Sequence, residues 1–187
     1  MPTVLNFGIE FAASLLVFSL LARWYASPYL AKRPFNEGLL LLISPFLLRY
    51  LGLMSLAPGV VDPAVTQSSF AFYQAYGDFI AFLLALASFA LVRSRHPQAL
   101  AAVWIFNIFG AAEFVHSVVR GTVSGTGGSI GAFWYIPVAY VPFGLVVHYL
   151  IFALLVQRSR EFRRDRTRES RQDSVRDSIA VQTCLDS

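Results

Sequence analysis

Five predominantly apolar stretches, each about twenty residues or longer, decide what this chain can become. They run at roughly 4–22, 38–57, 70–92, 99–119 and 131–156. A bilayer core about 30 Å thick needs about 20 apolar residues to be crossed as a helix, and in lipid only a helix or a closed barrel satisfies its own backbone hydrogen bonds. One such run is compatible with a buried helix of a water-soluble domain. Five in series leave almost no amphipathic sequence for a water-facing shell. Only 14% of the 187 residues are charged and 56% are hydrophobic, against roughly 25% charged in ordinary soluble domains. The expected fold is all-α: a polytopic integral membrane helix bundle with five transmembrane helices over residues 1–156. A charged tail, 157–187, follows as a frayed helix or a disordered end.

Turn chemistry separates the stretches. Ser27-Pro28 and Arg33-Pro34 interrupt the first gap, Pro58-Gly59 and Asp62-Pro63 the second, and His96-Pro97 the third. The fourth gap is glycine-rich, residues 121–131, and reads as a flexible connector that could also serve as a lid.

Lys and Arg in short loops set the orientation of a membrane protein. The first gap carries Arg23, Lys32 and Arg33, the second carries none, the third has Arg93 and Arg95, and the fourth opens on Arg120. Eight of the fifteen Lys and Arg residues follow Val156, and none precedes the first stretch. This alternation predicts an outside N-terminus and a cytoplasmic tail, the pattern of a multi-pass protein in a cell membrane such as the bacterial inner membrane. Trp24, Tyr25, Trp134 and Tyr135 fall near the implied interfaces. The first stretch reads as a retained helix rather than a cleaved signal, because Met1-Pro2-Thr3 lacks a charged side chain and Glu10 sits within the apolar run.

In the tail, Glu161, Asp165, Glu169, Asp173 and Asp177 recur every four residues beside Arg160, Arg164, Arg168 and Arg176. Its first arginines suit anionic lipid headgroups. Its acids nearly cancel its arginines, so no nucleic-acid partner is expected. The single cysteine, Cys184, excludes an internal disulfide.

Ionisable side chains inside a bilayer cost at least about 2.5–3.5 kcal/mol each on insertion scales, so every one demands an explanation. The stretches contain Glu10, Arg49, Asp78, Glu113, His116 and His148, accompanied by Asn6, Gln74 and Asn107. At about 1.5 Å per residue, Glu10, Arg49, Asp78, Glu113 and His116 fall at similar depth in the outer half of the membrane. Helical spacing puts Asn6 with Glu10 and Gln74 with Asp78 on shared faces, and Glu113, His116 and Arg120 in one stripe. The expectation is an outward-facing polar pocket of Glu10, Arg49, Asp78, Glu113 and His116, supported by Asn6, Gln74, Asn107 and Arg120. Arg49 is the natural counter-ion, and three acids against one fixed cation leave either a protonated carboxyl or a charged His116. His148 lies too deep to join unless its helix breaks near Pro137 or Pro142.

Glu113 and His116 form the E-x-x-H pair that di-metal bundles use, but no second pair exists, and no metal site is assigned. Three histidines are too few for a histidine-rich oxygenase, and Lys32, the only lysine, lies in a loop, which excludes retinal attachment. No cofactor follows from the sequence. Tyr76-Gly77-Asp78 resembles a segment of the eukaryotic sterol-isomerase (emopamil-binding) group, whose members also have about five spans. The likeness covers three residues, and it implies a membrane-embedded pocket enzyme.

Three functions stay open at this point. One is a small carrier for a proton, ion or polar solute, which with an odd span count would need a homodimer. Another is an acid/base enzyme acting on a lipid-like substrate, with aromatics such as Phe70, Phe72, Tyr73, Tyr76, Phe106 and Phe114 lining a slot. The last is a scaffold whose charges merely hold helices together.

Overall fold

The computed structural model describes residues 2–123 and 130–157, and among these every regular element is helical. Among the described residues five helices are long and apolar enough to cross a membrane: Val4–Ala31, Phe35–Leu56, Ser69–Arg93, Ala99–Val123 and Ile136–Gln157. They are called the first to fifth spans below. The chain divides into two units, Met1–Phe152 and Ala153–Ser187; of the second, residues 153–157 are described and are helical. The arginine-rich tail and the glycine-rich stretch 124–129 lie outside the described residues.

Proline shapes three of the spans, and in each the helix bends its pitch instead of stopping. The first span does not end at Ser27-Pro28. A π turn at Ala22–Ala26 precedes Pro28, and the helix resumes over Ser27–Ala31. Proline has no N–H to give, so a wider turn before it redistributes the carbonyls that lose a donor.

The second span enters at Pro34 and is α-helical over Phe35–Ile43. From Ser44 to Leu56 it tightens into a 3-10 helix of 13 residues, although such runs rarely exceed about four. Pro45 cannot donate to the Leu41 carbonyl, and the Ser44 hydroxyl takes that role at 2.8 Å. The Pro45 carbonyl in turn accepts from the Tyr140 hydroxyl at 3.0 Å.

A 3-10 turn, Gly131–Trp134, leads into the fifth span, which begins with a π turn, Ile136–Tyr140, that contains Pro137. Residues 141–157 are regular α-helix, with Pro142 buried in its first turn.

The second, third and fourth spans form the packed centre of the bundle, with the third lying against both others. Small residues make this possible. The buried stripe of the third span reads Ala71, Ala75, Asp78, Ala81, Ala85, Ser88 and Val92, so neighbouring backbones come close and dispersion, the main attraction available between helices in lipid, is gained over a large contact. The first span is different: its most apolar window is wholly unburied, as expected of a helix that faces lipid. It meets the fifth span and the turn leading into it through Phe18 on Phe143 and Phe7 on Trp134, at ring distances of 5.4 and 5.8 Å.

Between the second and third spans a one-turn helix, Pro63–Thr66, is capped by Asp62, whose Oδ1 accepts from the Ala64 N–H at 2.8 Å. Val61, Val65, Ala71, Ile130 and Phe133 close into a small apolar cluster there, joining this connection to the start of the fifth span.

Candidate functional site

A 3-10 helix has three residues per turn, so side chains three apart eclipse one another. In the 3-10 stretch of the second span, Ser44–Leu56, the buried residues are Phe46, Arg49, Gly52 and Ser55, a stripe of that period which faces the bundle. Its pitch therefore aims Arg49 at the third and fourth spans. Arg49 is 1% exposed, and a guanidinium so deprived of water needs its N–H groups occupied.

They are occupied from two spans. Nε donates to Asp78 Oδ1 at 2.9 Å, and Nη2 lies 2.7 Å from the same oxygen. Nη2 also donates to Glu113 Oε2. Nη1 donates to the Gly110 carbonyl at 3.1 Å. The Phe114 ring lies under the guanidinium, 3.8 Å from Cζ to centroid, a cation–π contact strengthened by the absence of water. Ser117, one turn along from Glu113, donates its hydroxyl to the other carboxylate oxygen, Oε1, at 2.5 Å. Charges at this centre sum to one cation against two carboxylates.

Beside it sits a second, neutral pair. Asn107 Nδ2 donates to the His148 carbonyl at 3.1 Å, which turns Asn107 Oδ1 towards His148 Nδ1 at 2.6 Å. That oxygen can only accept, so His148 Nδ1 carries a proton, and in the neutral imidazole Nε2 is then a bare acceptor. His148 is 1% exposed, and its Nε2 has no hydrogen-bond partner among the described residues. Phe46 stacks on the imidazole at 4.2 Å between ring centroids, with Phe106 and Phe114 at 5.4 and 5.8 Å.

Glycine makes room for each of these groups. A Cβ on Gly52 would collide with the Asp78 carboxylate, and one on Gly144 with the Phe114 ring. On Gly110 it would stand 2.8 Å from His148 Nε2 and 3.1 Å from Arg49 Nη1, so the two groups share the notch that this glycine leaves. On Gly77 it would lie 3.1 Å from Glu113 Cγ.

The residues singled out from sequence are thus divided. Arg49, Asp78 and Glu113 meet, and Asn107 is buried in the adjoining pair. Glu10 does not reach them: it is exposed on the first span and accepts from Trp134 Nε1 at 2.6 Å. Asn6, His116 and Arg120 are exposed, and Gln74 is half-buried. With Glu113 turned to Arg49 and His116 turned outward, the E-x-x-H pair does not converge as ligands.

His148, judged too deep, enters the layer of Gly110 and Arg49. The π turn at Ile136–Tyr140 supplies the helix irregularity that such a placement requires. Ser117 carries no charge, and its only sequence signal is a hydroxyl one turn from Glu113. The signal of the four site glycines is steric, and it becomes visible only once the packing partners are known.

A family model described as a domain of unknown function (DUF8737) matches residues 6–156, and the chain belongs to that family. No curated protein and no solved structure matches the chain.

Proposed function

We propose that this multi-pass membrane protein is a small carrier, or a subunit of one, that handles a proton or a small cation at the Arg49–Asp78–Glu113 centre. The observation that carries the reading is the charge imbalance: two carboxylates share one guanidinium in a layer sealed by aromatic rings. An unbalanced buried negative charge is costly, and a proton or a cation restores neutrality. Exchange of the compensating ion would then be coupled to the fit of Arg49 between its two acids. The 3-10 stretch supports that coupling. Relaxing residues 44–56 from about 2.0 to about 1.5 Å rise per residue would move and rotate Arg49 against the third and fourth spans without unfolding either.

The aromatic packing favours a carrier over a lipid-directed acid/base enzyme. Phe46 packs against both Phe106 and Phe114, and all three rings meet His148, so they fill the space beside the charges instead of lining a slot for a lipid-like substrate. The outside position of the N-terminus, the cytoplasmic tail, the opening of the pocket towards the outside, pairing into a homodimer and placement in a bacterial inner membrane belong to the same proposal, on the strength of the loop charges and the odd number of spans.

The test is flux. The full chain is reconstituted into liposomes holding a pH-sensitive dye, and proton, sodium and potassium gradients are imposed in turn. Gradient-driven flux with the parent chain, abolished in Asp78→Asn and in Glu113→Gln while both variants remain helical and monodisperse, supports the carrier. Equal flux in the parent and both variants, or none from any gradient, sinks it.

A further inference from the structure

Away from the charge centre, the first and fifth spans enclose a groove of about 930 Å³. Its walls include Leu15, Leu145, Val146 and Leu150, and none of Arg49, Asp78, Glu113 or His148 lines it. The two spans run in parallel, as their contacts show: Phe7 and Glu10 meet Trp134, and further along Phe18 meets Phe143. The groove occupies the next stretch, where the π turn Ala22–Ala26 replaces regular helix on the first span.

The lining is largely apolar and carries a single cation. Arg23 lies in the π turn, is exposed, and has neither an ion pair nor a hydrogen bond to any described residue. The hydroxyl-bearing Ser19 and Ser27 also line the groove, and Trp24 and Tyr149, 60% and 71% exposed, flank it. Tryptophan and tyrosine of this exposure suit the headgroup level of a bilayer. From Leu15 to Arg23 the first span rises about 12 Å, most of the ~15 Å thickness of one leaflet's hydrocarbon.

We propose that this groove binds one bilayer phospholipid with an anionic headgroup, its acyl chain along Leu15, Leu145 and Val146 and its phosphate at Arg23. A largely apolar channel with a free guanidinium about 12 Å along from Leu15, beside exposed Trp24 and Tyr149, matches that amphiphile in length, polarity and charge. A zwitterionic lipid fits the channel and offers the same phosphate, but its own ammonium already compensates that charge and leaves less for Arg23. A second copy of the chain would need an acid at the height of Arg23, and the acid of the first span, Glu10, lies more than three helical turns away.

The test is native mass spectrometry of the delipidated full chain, offered phosphatidylglycerol and phosphatidylcholine of identical acyl composition. One phosphatidylglycerol per chain should be retained in preference to phosphatidylcholine. Arg23→Gln should erase that preference by about five-fold, the worth of one cation at an anionic surface, while Arg23→Lys keeps most of it. Val146→Trp, which fills the channel, should lower retention of both lipids. Arg23 is exposed, so its variants should fold, and helicity by circular dichroism checks this. Equal retention of the two lipids by the parent, an unaltered preference in Arg23→Gln, or dimers that exclude lipid from the groove would each overturn the assignment.

Discussion

Arg49 Nε and Asp78 Oδ1 lie 2.9 Å apart across 29 residues of sequence, and the bond exists because one helix is wound too tightly and the other is lined with alanine. In an α-helix, residues 46, 49, 52 and 55 would drift around the axis by about 60° per step of three. In the 3-10 stretch they stay in line, so Arg49 and Gly52 both face the third span. Gly52 then admits the Asp78 side chain to the surface of the second span. The neighbours of Asp78 on its own stripe, Ala75 and Ala81, are small enough for the helices to close on the bond. Backbone pitch, a missing side chain and a small-residue stripe each contribute one part of a geometry that neither charge could impose alone.

Removing the cation should therefore cost more than removing the whole charged centre. Arg49→Gln leaves two facing carboxylates in a dry layer, and the expected loss is about 3–5 kcal/mol of unfolding free energy, read from denaturant titration in mixed micelles. Combining Arg49→Met with Asp78→Asn and Glu113→Gln should restore most of it, because uncharged groups of similar volume carry no desolvation debt. A triple variant as unstable as Arg49→Gln alone would mean that Arg49 acts by packing and not by charge.

The glycines make a separate prediction. Gly52→Ala and Gly110→Ala place a methyl group against Asp78 and against His148, and each should destabilise by about 1–3 kcal/mol through overpacking. Gly8→Ala is the internal control. A Cβ there meets nothing within 4 Å, so the variant should be neutral or gain up to about 1 kcal/mol from helix propensity. Thermal melting of the three variants in one detergent checks the order.

Hydrophobic length made the five spans legible from residues alone, since the bilayer demands it and few other environments produce it. The meeting of Arg49, Asp78 and Glu113 was legible for a related reason: charge in lipid must find charge. Glu10 shows where that logic runs out. Depth estimated from span ends placed it level with the others, but depth says nothing about azimuth or about which helix is a neighbour. The first span packs on the fifth, so Glu10 found an indole N–H instead of a guanidinium. For His148 the spacing left the outcome to the regularity of its helix near Pro137 or Pro142, and Pro137 indeed sits in a π turn, with a 3-10 turn just ahead of the span. The 13-residue 3-10 stretch has a readable trace only in hindsight, in polar or small residues at three-residue spacing.

Topology has a test that needs no substitution. Cys184 is the only cysteine and lies in the arginine-rich tail. If the tail is cytoplasmic, as the loop charges imply, a membrane-impermeant maleimide should label it only after intact cells are permeabilised. Full labelling of intact cells, with an unlabelled cytosolic cysteine protein as the control for leakage, would invert the orientation and with it the sidedness of the proposed pocket.

Two buried polar side chains should respond to truncation with opposite sign. Asn107 is fully partnered: its amide donates to the His148 carbonyl and its oxygen faces His148 Nδ1. Asn107→Leu strands a buried N–H and a buried carbonyl together, and a loss of about 1–3 kcal/mol is expected. Ser88 is equally buried, on the alanine stripe of the third span, but its Oγ has no partner among the described residues. Ser88→Ala deletes a desolvated hydroxyl without breaking a bond, so the variant should be at least as stable as the parent. The nitrogen NMR signals of His148 give the Asn107 variant a readout beyond stability. With its Nδ1 acceptor gone, the neutral imidazole should shift from the Nδ1–H tautomer towards a mixture. An unchanged tautomer in a stable Asn107→Leu protein would show that something other than Asn107 fixes the lone pair on Nε2, and the neutral half of the site would then have to be redrawn around that group.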